Sequence, residues 1–151
     1  MSYEFCQNQL ATTIRTLSNY DTNNLTLTDY RALQKGYTKV VVLRPGAFSR
    51  ERTEFSGGME TTWNIVTELF IKYQDDTQVQ NDIRDERQDI IDTVDKYPFL
   101  GTSGTASILY AIVSSGAEPT PVFAEDGSGP HFMLQELTCA VTEHTIVTES
   151  E

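Results

Sequence analysis

The chain has 151 residues, 38% of them hydrophobic and 22% charged, with a formal net charge of −11. That size and balance describe an ordinary soluble globular protein, expected as a single domain over 1–151 that removes roughly two-thirds of its surface from water. No apolar run approaches the roughly 20 residues that cross a bilayer, and the first residues lack the basic-then-apolar layout of a secretory signal. No membrane partner is expected, and the cytoplasm of the producing cell is the expected location.

The charge is unevenly placed. Arg31, Lys35, Lys39, Arg44, Arg50 and Arg52 lie between positions 31 and 52, where Glu51 is the only acid. After Tyr97 there is no Lys or Arg, while Glu118, Glu125, Asp126, Glu136, Glu143, Glu149 and Glu151 are acidic. Such a separation suits head-to-tail contacts between copies or docking to a charged partner. No sustained basic patch offers to neutralise phosphates, which argues against tight nucleic-acid binding.

Residues 3–19 read as an amphipathic helix, with Cys6, Leu10, Ile14 and Leu17 on one face and Ser2 as N-cap. Residues 20–29 are polar and turn-prone. Asp21 and Asn23 suggest a calcium loop, but position 26 is not glycine and Ala32 stands where a bidentate acid belongs, so that reading fails. A short helical turn over 30–36 ends at Gly36. Lys39–Leu43 reads as a short buried strand stopped by Pro45-Gly46, and 44–58 as a long loop, a length that points to function or mobility.

The most clearly patterned stretch is 61–73. Trp63, Ile65, Leu69, Ile71 and Tyr73 share one face with Thr67, and Thr62, Asn64, Glu68 and Lys72 the other, interrupted by Val66 and Phe70. Alternation with β-branched and aromatic residues predicts a half-buried antiparallel strand of roughly 43 Å, placed at a sheet centre or in a projecting hairpin arm. Asp75-Asp76-Thr77 caps a second helix over 78–97, with Val79, Ile83, Ile90, Val94 and Tyr97 inward and Pro98 as its stop. A turn at 101–104, a strand over 107–113, a second long loop over 114–130 and a strand over 131–145 complete the reading. The expected fold is α+β, a mainly antiparallel sheet packed by two helices in the order α-β-β-α-β-β.

Groups for catalysis are sparse. His131 and His144 are thirteen residues apart on one strand, hence on opposite faces. Gly101–Thr105 lacks the lysine of a phosphate-binding loop, and Cys6 and Cys139 stand far apart as expected free thiols. Asp75 and Asp76, with a third acid such as Asp82, offer a metal only if their capping role is set aside. No catalytic group, cofactor or metal is therefore expected, and a small metal-dependent enzyme using Asp75 and Asp76 is the alternative of another class. The candidate site is instead a contact surface. Phe48 and Phe55 stand with Arg44, Arg50 and Arg52, and Val122-Phe123 stands beside Glu125 and Asp126, and aromatics and Arg in loops are typical contact residues. The competing reading folds the aromatics back onto the core.

The helix at 3–19, the strand ending Val41-Val42-Leu43-Arg44-Pro45-Gly46, the loop into Thr61–Tyr73, the second helix and the closing hairpin together resemble the tail terminator family of long-tailed bacteriophages. The resemblance implies a virion protein, assembled in the host cytoplasm. It would form a homohexameric ring that caps the finished tail tube and presents the surface to which the head joins. Its implied partners are itself, the tail tube protein and a head-tail connector or neck protein, with DNA passing through the lumen without specific binding. A head-tail joining or neck protein is the alternative within viral assembly.

Overall fold

The long strand around Trp63 is the middle member of one sheet. The computed structural model describes residues 3–34, 36–53, 57–102, 108–123 and 130–146. Along these run α1 (Tyr3–Ile14), β1 (Leu25–Leu27), a 3-10 helix (Tyr30–Gln34), β2 (Lys39–Arg52), β3 (Gly58–Lys72), α2 (Asp76–Lys96), β4 (Ile108–Gly116), β5 (Thr120–Phe123) and β6 (Pro130–Ile146). The sheet order is β1-β2-β3-β6-β4, with β5 pairing another stretch of β6. Only the β1–β2 pair is parallel. The expected α+β class with two helices and a mainly antiparallel sheet holds; the expected strand order lacks β1 and β5.

Both helices pack on one face of the sheet, α1 over β1, β2 and β3, and α2 over β3, β4 and β6. The alternation of β3 explains why. Ile65, Leu69 and Ile71 lie under the helices with Leu10, Ile14, Ile83 and Ile90. β6 pairs with β3 along the whole length of β3 and contributes Met133, Leu137, Cys139 and Val141 to the same face. Burying each such side chain contributes about 1.5–3 kcal/mol. On the opposite face Ala32, Val40, Val42, Phe70 and Phe132 pack together with Val122 and Leu134 at one end.

Four expectations are corrected. Helix α1 ends at Ile14 rather than continuing to position 19. Thr12, Thr13 and Thr16 turn their hydroxyls back onto backbone carbonyls, and Thr16 and Leu17 bond three residues back, which tightens and closes the helix. Pro45-Gly46 does not stop the strand, and the expected loop over 44–58 begins instead as strand, as far as Arg52. Val41 N–H points outward to Asn24 O, and Pro45 shares that parity past the last residue β1 pairs, so its missing N–H breaks no ladder. The strand absorbs Gly46-Ala47 as a bulge and runs on to Arg52. Third, β4 continues to Gly116, and β5 forms inside the expected loop 114–130 despite Pro119 and Pro121, as an edge segment on β6. Helix α2 starts at Asp76, with Asp75 as N-cap accepting from Gln78 N at 2.8 Å.

Candidate assembly surfaces

The bulge in β2 decides which side chains the arm presents. Up to Pro45, odd residues of β2 face the helices, as Val41 and Leu43 do. Two residues, Gly46 and Ala47, then oppose Asn64 alone, and the parity inverts: Phe48 pairs with Trp63, Arg50 with Thr61 and Arg52 with Met59. Phe48, Arg50 and Arg52 therefore share the helix-side face of the sheet edge. Phe48 is 59% exposed and leans on Trp63 with ring centroids 5.4 Å apart. Trp63 is itself held by the edge of Tyr3, at 5.9 Å, and by its indole N–H donating to Glu143 Oε1 at 2.8 Å. The exposed ring thus stands on a fixed aromatic base.

The three predicted arginines have different surroundings. Arg44 lies on the helix-free face, with Nε 3.2 Å from Glu68 and Nη2 3.4 Å from Glu136. Tyr30 donates its hydroxyl to the same Glu68, and burial, with that carboxylate beside it, pushes Tyr30 up to about 12. Arg44 is thus tied into its own sheet. Arg50 and Arg52 are exposed, and neither pairs with any of the described residues. Val122 packs half-buried on the second cluster, whereas Phe123 is 62% exposed. Phe55, Glu125 and Asp126 lie outside the described residues.

The opposite edge of the sheet is different in character. β4 exposes Leu109, Tyr110 and Ile112. On its helix side a groove of about 390 Å³ runs between α2 and β4, lined by Arg87, Gln88, Ile91, Val113, Gly116 and Leu137. Gln88, Ile91, Asp92 and Asp95 follow one another at helical spacing, and Gln88 Nε2 donates to Asp92 Oδ1 at 2.8 Å. Asp92 and Asp95 thus continue the flank of α2 that Gln88 and Ile91 present to the groove, toward the C-terminal end of the helix, while Arg87 is the charged residue of the lining itself. Asp92 and Asp95 stand near the C-terminal end of α2, where the helix dipole disfavours acids; the groove they flank depends on packing between α2 and β4, which no local pattern reveals.

The residues considered for chemistry are otherwise occupied. Asp75 caps α2, Asp76 accepts from the Tyr73 hydroxyl, and Asp82 accepts from Gln78 Nε2 at 2.9 Å. Among the described residues no three His, Cys, Asp or Glu side chains come together as metal ligands would. His131 is exposed beside Phe132, and His144 lies thirteen residues along the same strand. Among the described residues no helix is long and apolar enough to cross a membrane. The chain matches no protein-family model and no curated protein.

Proposed function

We propose that this chain is a structural virion protein that assembles as a homohexameric ring, caps the phage tail tube, ends its elongation and offers the surface for head joining. The resemblance of residues 3–19, 39–46 and 61–73 to tail terminators supplies the role. The observation that carries the ring is the pair of unlike edges on one sheet. The β2 edge presents Phe48, Arg50 and Arg52; the β4 edge presents a groove beside α2, continued along that helix by Asp92 and Asp95. Two different surfaces on opposite sides of a protomer make a heterologous contact, which closes into a ring when the rotation between copies closes. A net charge of −11 suits a lumen that DNA crosses without adhering, because like charges repel phosphate.

The test is tube length. Tail tube protein polymerised in the presence of the purified chain should give short tubes ending in a ring visible by negative stain, and native mass spectrometry should find six copies. Tubes of unchanged length with bare ends would refute capping. A ring that binds isolated connector but not tube would instead assign the chain to the neck.

A further inference from the structure

The strand directions determine how two copies can join edge to edge. β2, β3, β6 and β4 alternate in direction across the sheet, so β4 runs opposite to β2. Copies set side by side with their helices on the same side would bring β2 of one against β4 of the next as an antiparallel pair. Among the described residues both edges have backbone to spare. β1 pairs β2 only at Val41–Leu43, leaving the arm beyond Pro45 open on its outer side. On β4 the amide of Ala111 is taken by Pro98 O at 2.7 Å, which leaves 112–116 as the open stretch. An added strand from 48–52 matches it in length.

From these relations we infer that the seam between copies is an added β-strand, with Phe48 of one copy seated in the α2–β4 groove of the next. This rests on the ring reading and gives its contact a definite form. The faces agree, because the bulge at Gly46-Ala47 puts Phe48, Arg50 and Arg52 on the helix side, where the groove opens. The direction agrees as well. Arg87 donates to Gln135 Oε1 at 3.3 Å and Gln135 in turn to Ala117 O, just past the end of β4, while Pro98 after α2 accepts from Ala111, so α2 runs back along β4 with its C-terminal end near Ala111. With Phe48 at the Val113–Gly116 end, an antiparallel strand carries Arg50 and Arg52 toward Asp92 and Asp95. A parallel strand would carry them away from those acids, past the end of β4. Aromatic insertion into a pocket, ringed by charge pairs, is the usual construction of an energetic centre in an interface.

Charge exchange tests it. Arg50→Asp with Arg52→Asp, and separately Asp92→Arg with Asp95→Arg, change only exposed side chains, so circular dichroism should be unaltered. Each pair should weaken assembly about tenfold or more in native mass spectra across a concentration series, and the two combined in one chain should restore it. Phe48→Asp should abolish assembly without rescue. A ring that survives both reversals overturns the seam and leaves capping standing. A chain that is monomeric at every concentration also overturns it, and tube length then decides capping. Restored rings that leave tubes uncapped uphold the seam and refute capping.

Discussion

Gly46 lies so close to the carbonyl of Asn64 that a Cβ added to it would stand 2.6 Å from that oxygen and 3.1 Å from Val66 Cγ2. The Asn64 carbonyl has no room to yield, since β3 is paired on both sides. The bulge therefore needs glycine for close approach of two backbones. We predict that Gly46→Val costs about 1–3 kcal/mol, as overpacking of a fixed backbone does, and changes the emission of Trp63 by displacing Phe48. Urea titration followed at Trp63 measures both. An unchanged midpoint and spectrum would show that the bulge can migrate.

What was legible in the sequence was what local chemistry determines. The alternation of Trp63, Ile65, Leu69 and Ile71, and the cap at Asp75, are short-range signals, and both faces of β3 and the start of α2 follow from them. The strand through Pro45-Gly46 was not legible, because its tolerance comes from where β1 ends. β5 was hidden by its prolines and held by a partner, β6, that follows it in the chain. Of the candidate contact residues, the pattern of basic and aromatic side chains pointed to the arm. It could not tell Arg44 from Arg50, since the difference is a pair of carboxylates on neighbouring strands, Glu68 and Glu136, the latter 92 residues away.

That difference sets a second prediction. Glu68 is buried, and Arg44 is its only cationic partner among the described residues. Arg44→Gln should destabilise the fold by about 1–3 kcal/mol, because a charged acceptor loses its counter-ion. Arg50→Gln and Arg52→Gln should stay within about 0.5 kcal/mol of the parent, as exposed substitutions away from such networks do. Thermal melts of the three variants discriminate. Equal effects at all three positions would contradict the assignment of Arg44 to the sheet and the others to the surface.

Lys39 and Glu86 provide a third. Lys39 Nζ stands 2.6 Å from Glu86 Oε1, and Glu86, 4% exposed, also accepts from Tyr20 and Asn19. This one carboxylate ties β2, α2 and the segment after α1 together. Removing the ammonium with Lys39→Met leaves a buried negative charge with two neutral donors, at a cost of about 2–4 kcal/mol. Adding Glu86→Gln removes that charge and should recover part of the loss. A double-mutant cycle by urea unfolding reads the coupling. Strictly additive losses would mean that the pair is too well solvated to matter.

The two thiols make the last prediction, and its sign follows from burial. Burial first, and then the Glu143 carboxylate, push Cys6 up to about 12, and burial pushes Cys139 up to about 11 against a lowering contact with Thr67. The unfolded chain titrates its thiols at the ordinary 9.0. Above that pH the unfolded state releases protons that the folded state still holds, so the folded state binds more and stability falls as pH rises. The thiol contribution is complete below pH 9.0 and is lost on the way to the folded values. Melting temperature should therefore decline above that point. At neutral pH both thiols should resist Ellman's reagent until the chain unfolds in urea, because the reactive species is an accessible thiolate. Rapid labelling of the folded chain at Cys6 alone would instead reveal that α1 opens independently of the sheet.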